Sequence, residues 1–101
     1  MKIAISSESK DENSEVSQIS GRAPYYLIFE NKKLIKTIKN PFRMGGGGAG
    51  FGVAEMLSDE KVNLVISGKF GRNMISTLEI KGIKSKKMSG ITVKEALEKT
   101  E

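Results

Sequence analysis

The hydrophobic and polar positions change period several times along the chain. Lys2 to Ser6 alternates, with β-branched Ile3 and Ile5 on one side, and predicts a first strand. Ser7 to Ser20 is polar, carries Glu8, Asp11, Glu12 and Glu15, and predicts a long loop. Tyr25 to Glu30 (YYLIFE) is a continuous apolar run and predicts a buried strand. Asn31-Lys32-Lys33 is a polar turn, from which Leu34 to Lys39 (LIKTIK) returns as the second arm of a hairpin. Asn40-Pro41 ends that arm, because proline cannot donate to a ladder.

Helical spacing then takes over. Val53, Met56 and Leu57 predict a helix from about Ala49 to Glu60. Val62 to Ser67 (VNLVIS) reads as a strand and Gly68 to Arg72 as a turn. A second helix presents Ile75, Leu78 and Met74 on one face and stops at Gly82, a suitable residue just past a helix end. Ile83 to Met88 is a Lys-rich edge strand, and Ser89-Gly90 turns the chain. Thr92 and Glu95 have the spacing of a capping box for a last helix bearing Val93, Ala96 and Leu97.

The resulting order is β-β-β-α-β-α-β-α, an α/β fold expected to occupy residues 1–101 as a single domain. Strands that alternate with helices imply parallel crossovers. If the first strand points up, the second runs down and the third, fourth and fifth run up. The loops after strands one, three, four and five then share one rim, and ligands of open α/β sheets bind outside the carboxyl ends of strands.

That rim collects unusual residues. Six of the eleven glycines fall in Gly45 to Gly52, which reads GGGGAGFG and leads into a helix. Glycine backbone can approach a ligand closely, and a helix start offers N–H groups and the positive end of its dipole, so the run suits an anion. It is neither a Walker A loop, since no Gly-Lys-Ser/Thr follows, nor a dinucleotide fingerprint, since no acidic strand end is placed to read a ribose. All three arginines, Arg22, Arg43 and Arg72, fall in rim loops beside or near glycines, while lysine is the general surface cation. Arginine supplies a rigid bidentate fork. The candidate binding residues are therefore Gly21, Arg22, Arg43, Gly45, Gly46, Gly47, Gly48, Gly50, Gly68, Gly71 and Arg72. Met44 stands at the mouth of the glycine run, where its thioether can touch a soft ligand.

Composition narrows the chemistry. Cysteine and histidine are absent, which removes disulfides, thiolate and imidazole metal ligands, a Cys nucleophile and a His base. No serine sits in a nucleophile elbow, so a non-enzymatic binding protein is expected. The net charge of +5 permits a polyanionic partner, but the lysines are scattered and the six aromatic residues form no stacking signature, which disfavours nucleic acid. No run of about 18 apolar residues predicts a membrane span. The amino terminus turns polar at once, and a cytoplasmic location is expected.

Several segments together resemble the dinitrogenase iron–molybdenum cofactor biosynthesis family. They are Ser20-Gly21-Arg22-Ala23-Pro24-Tyr25-Tyr26, Asn40-Pro41-Phe42, Gly45 to Gly50, Val65-Ile66-Ser67-Gly68, Ser89-Gly90 and Thr92-Val93-Lys94-Glu95-Ala96-Leu97, in the family's order over essentially the whole chain. The resemblance implies a three-layer α/β/α fold of the ribonuclease H-like kind, with a five-stranded mixed sheet in order 3-2-1-4-5 and strand 2 antiparallel. It also implies a small carrier of iron–molybdenum cofactor or an iron–sulfur precursor, working beside a metalloprotein or a cofactor-assembly partner in nitrogen fixation. Two departures bear on this. The family commonly carries His-Phe before Gly-Arg, where this chain has Ile19-Ser20, and Arg72 stands where the family often has proline. Ligation of an iron atom by imidazole or thiolate is therefore impossible, and a cluster has to be held by charge and hydrogen bonds from Arg22, Arg43, Arg72 and loop N–H groups. Two alternatives stay open. One is a phosphate-bearing metabolite or nucleotide at the same rim. The other is a regulatory protein-interaction module that uses the strand edges Leu34 to Lys39 and Ile83 to Met88.

Overall fold

The computed structural model describes residues 1–44 and 48–100. Its elements in chain order are β1 (Lys2–Ser7), a 3-10 turn (Ser20–Arg22), β2 (Tyr25–Glu30), β3 (Lys33–Lys39), α1 (Ala49–Asp59), β4 (Leu64–Ser67), α2 (Arg72–Ile80), β5 (Lys84–Lys87) and α3 (Val93–Thr100). The five strands form one sheet in the order β3-β2-β1-β4-β5. β2 is antiparallel to both neighbours, while β1, β4 and β5 run parallel. This is the mixed sheet that the family resemblance implied.

The continuous apolar runs are explained by helices on both faces of the sheet. Ala4, Tyr26, Ile28 and Val65 face α1 and α2 and pack with Val53, Leu57, Met74 and Leu78. Their alternates Ile3, Ile5, Leu27, Phe29, Leu64 and Ile66 face α3 and pack with Val93, Ala96 and Leu97. The β2–β3 hairpin turns through Asn31 and Lys32, both left-handed (φ 52° and 65°), in the manner of a two-residue type I′ turn. Helix α2 ends as expected at Gly82 (φ 75°): the N–H groups of Gly82 and Ile83 bond to Glu79 O and Leu78 O. Helix α1 ends in the same motif but with Lys61 in the left-handed position.

Three expectations are refined. Val62 lies outside β4, because its N–H closes the end of α1 onto Leu57 O. Ile75 is only partly buried on α2. Thr77 takes the inward position instead, with its hydroxyl bonded to Asn73 O. The acidic stretch after β1 is not a free polar loop. It bridges back at Ser7–Val16, Glu15–Thr92 and Ile19–Lys69, and Val16 is buried under α3.

That stretch also changes the rim. The gap between the carboxyl ends of β1 and β4 is the switch point of the sheet, where α/β ligands usually sit. Here the chain's own segment Ser17 to Ser20 fills it. Ser17 O accepts from Gly68 N–H (2.8 Å), and Ser20 N–H donates to Lys69 O (2.9 Å). Buried Ser6 and Ser67 bond to each other through their hydroxyls (2.7 Å) beneath it. Gly68 permits this close approach, since a Cβ there would lie 2.7 Å from Gln18 Cα.

Candidate anion-binding site

With the switch point filled, one open part of the rim lies on the α1/α2 side and another lies past the ends of β4 and β5. Its foundation is the 3-10 turn. Tyr26, fully buried, donates its hydroxyl to Ser20 O (2.6 Å), and burial pushes its phenol well above the usual tyrosine range, so it stays a neutral donor. Asn40, buried just after β3, donates to Gly21 O (3.1 Å) and Ala23 O (3.0 Å) and accepts from Phe42 N–H (2.9 Å). One side chain thus ties the 3-10 turn to the turn that carries Arg43. The Arg22 guanidinium reaches Arg43 O at 3.5 Å, a second tie between the two turns.

Opposite this turn, two helices begin. Gly48 precedes α1 in a left-handed conformation (φ 104°), and Gly71 precedes α2; neither helix start has a side-chain cap. The N–H groups of Ala49 and Gly50, and those of Arg72 and Asn73, meet no acceptor among the described residues. Gly50 brings the two starts together: a Cβ there would sit 3.1 Å from Met74 Cβ and 3.2 Å from Met74 N. The result is a cavity of about 190 Å³ lined by Ile19, Ser20, Gly21, Arg22, Gly48, Ala49, Gly50, Gly71 and Met74. Ser20 Oγ donates to the buried Met74 sulfur (3.0 Å) in its wall.

The structure thus brings together Gly21, Arg22, Gly48, Gly50 and Gly71. Arg43 and Arg72 are exposed neighbours of that cavity and do not line it. Gly45, Gly46 and Gly47 lie outside the described residues. Gly68 is placed differently from the expectation: it is buried, its N–H is bonded to Ser17, and it packs the filled switch point. It borders a separate concavity with Lys69, Lys87 and Ser89. Sequence reasoning missed Asn40 and Tyr26. The signal for Asn40 was an Asn-Pro pair at a strand end, the setting of an Asx turn. Tyr26 gave none, since a tyrosine in an apolar run reads as core.

The charge pattern fits an anion. Among the described residues the ion pairs are Lys36–Glu60 and Lys81–Glu55, so none of the three arginines has a carboxylate partner. No group of three or more carboxylates suited to a metal ion occurs among them. A larger concavity, about 720 Å³, lies at the other end of the sheet beside Met1, Asn63 and Lys84. Thr100 and Gly82 at helix carboxyl ends border it, where the dipole repels an anion. Volume therefore does not select the site; converging donors do. No helix among the described residues is long and apolar enough to cross a membrane.

This is a small α/β protein with a five-stranded mixed sheet covered by helices on both faces. The chain matches the dinitrogenase iron–molybdenum cofactor family over residues 1–101 and belongs to it. The structure of the apo form of the orange protein from Desulfovibrio gigas is similar, with a TM-score of 0.92 and 22% identity over 98% of this chain and 85% of that one. A putative NifB protein from Thermotoga has a TM-score of 0.82 and 30% identity, also over 98% and 85%. A putative dinitrogenase from Methanocaldococcus jannaschii has a TM-score of 0.65 and 20% identity over 96% and 84%. No protein of curated function matches the sequence.

Proposed function

We propose that this protein is a non-enzymatic carrier that holds an anionic metal–sulfur cofactor, the iron–molybdenum cofactor or an iron–sulfur precursor, at the Gly/Arg rim. The observation that carries the reading is the convergence on one cavity of two helix starts without side-chain caps and of Arg22, which has no carboxylate partner among the described residues. Family membership supplies the cargo class. Because the chain has no Cys or His, the protein would grip the outer surface of a cluster through N–H groups and guanidinium forks. The chemistry then belongs to the cargo, and the protein supplies the dock.

The test is anaerobic purification from cells that make metalloclusters, followed by iron, molybdenum and sulfide analysis of the monodisperse protein. Stoichiometric metal and sulfide are expected. The Arg22→Ala/Arg43→Ala double variant should lose them while its stability stays within about 0.5 kcal/mol of the parent. Equal metal content in the two proteins would remove these arginines from the site.

A second reading, a phosphate-bearing metabolite or nucleotide on the same donors, is favoured by the small cavity volume of about 190 Å³. A phosphorylated ligand at 100 times its Kd adds roughly 2.7 kcal/mol of stability, which a thermal-shift screen reads directly.

A further inference from the structure

The two edges of the sheet differ. β5 is a guarded edge: Lys84-Ser85-Lys86-Lys87 is four residues long and carries no apolar side chain. β3 runs for seven residues, all exposed except the half-buried Ile38. Leu34 and Ile35 are among the exposed ones, at 40% and 48%. Lysine is enough to guard an edge, and two adjacent apolar side chains in water work against that role.

The backbone of β3 is open as well. Asn40 N–H bonds to Pro24 O. An antiparallel ladder alternates bonded and non-bonded pairs. Ile38 and Lys36 therefore bond to β2, while the N–H and C=O groups of Thr37 and Lys39 point away from the sheet. The register passes from Ile28–Lys36 to Phe29–Leu34, so Ile35 is the extra residue of a bulge. Regular pairing is available from Lys36 to Lys39, with Leu34 and Ile35 at its end. Charge on the strand has one sign. Lys36 is tied to Glu60, and Lys33 and Lys39 have no carboxylate partner among the described residues. Lys10 adds an ammonium 6.0 Å from the ring of Tyr25, the residue that pairs with Lys39.

We propose that β3 is a docking edge for an extended acidic segment of a partner protein, which adds to the five-stranded sheet as a further strand. Thr37 and Lys39 supply the main-chain bonds. Carboxylates of the partner lie against Lys33 and Lys39, and its apolar side chains against Leu34 and Ile35. A second copy of this chain is the wrong occupant, because pairing β3 with itself brings Lys33, Lys36 and Lys39 of both copies to one seam. No β3 residue lines the rim cavity, so the proposal stands apart from the carrier reading.

The test uses the full chain and a labelled, end-blocked peptide of alternating Glu and Val. Its controls are the same peptide N-methylated at every Glu, the same peptide N-methylated at every Val, and a version with Lys for Glu. Binding is read by anisotropy and by amide shifts. The Glu–Val peptide should move the signals of Thr37 and Lys39. One methylated form turns its methyl groups toward β3 and should bind at least about tenfold more weakly, while the other keeps the parent affinity. Thr37→Pro removes an outward N–H and spares the β2 ladder, so it should weaken the peptide by about tenfold. The methylated peptides decide the matter on the unaltered protein should that variant fail to fold. No binding of the Glu–Val peptide, equal affinity of the three Glu–Val forms, equal binding of the Lys version, or shifts confined to the rim loops would each overturn the proposal. Self-association of the free chain that Thr37→Pro abolishes would overturn it in favour of a second copy.

Discussion

Helix α3 and the pair α1/α2 begin in opposite ways. At α3, Thr92 N–H bonds to the Glu95 carboxylate (2.9 Å) and Glu95 N–H bonds back to the Thr92 hydroxyl (3.1 Å). Between them, Val93 N–H and Lys94 N–H reach Ser14 O and Glu12 O of the acidic stretch. Every donor of that first turn is satisfied inside the protein, as a helix that serves only to cover a sheet requires. At α1 and α2 the caps are glycines, no side chain among the described residues bonds to the ends, and Arg22 lines the cavity between them. A glycine at the start costs roughly a few tenths of a kcal/mol relative to a capping side chain. Leaving two of them beside one cavity makes sense if an outside anion completes them.

The difference can be broken from either end. The largest effect is expected at Gly68, whose close packing positions the stretch that caps α3 on one side and enters the 3-10 turn on the other. Gly68→Ala would place a Cβ 2.7–2.9 Å from backbone atoms of Gln18 and Ser17. It should destabilise by about 2–3 kcal/mol in urea unfolding and weaken the rim as well. A midpoint equal to the parent would show that the filled switch point is soft.

Next comes a cap installed where none exists. Gly71 has an extended backbone (φ −72°, ψ 157°), and a Cβ at this position would meet nothing within 4 Å, so Gly71→Asp fits without strain. Its carboxylate should satisfy the α2 N–H groups, raise stability by about 0.5–1 kcal/mol and lower anion affinity by at least about tenfold. Gain of stability with unchanged binding would show that the α2 start takes no part in the site. The reciprocal change, Thr92→Ala, removes a cap that has no binding role. It should cost about 1 kcal/mol by thermal unfolding and leave ligand affinity unaltered.

The smallest effect is one of pH. Hydrogen bonds from the Thr92 N–H and hydroxyl, with Lys99 nearby, hold the Glu95 carboxyl below its ordinary value of 4.5. A carboxyl with a lowered folded pKa stabilises the fold above its unfolded value, and that contribution fades as pH falls through the folded one. The parent should therefore lose a small increment of stability below about pH 4.5 that Glu95→Gln does not lose. Identical acid profiles would separate Glu95 from the cap.

Much of this contrast was legible in the linear chain. Thr92 and Glu95 stand at capping-box spacing, and their mutual bonds require only residues three apart. Gly82 as a helix stop and the Asn31-Lys32 hairpin turn are equally local, since each depends on the backbone range of its own residues. The gathering of glycine and arginine on one rim also followed from strand direction, because connected strands have a fixed sense once crossovers are assigned. The same reasoning did not foresee the packing of Gly68. A glycine at a strand end looks identical whether it faces a ligand or another stretch of backbone, and only the course of Ser17 to Ser20 settles which.

What the sequence determined by itself is therefore the set of elements, their order and the chemical character of the rim loops: periodicity dictates the first two, and the lack of Cys and His with all three arginines in those loops dictates the third. What only the tertiary structure decided is the position of the opening. Ser17 to Ser20 occupies the switch point, Asn40 and Tyr26 anchor the 3-10 turn from distant strands, and Gly50 lets α1 and α2 start side by side. Each of these is a contact between residues far apart in the chain. No local pattern encodes such contacts; they arise when both faces of the sheet are buried at once and the loops pack wherever backbone donors and acceptors can be satisfied.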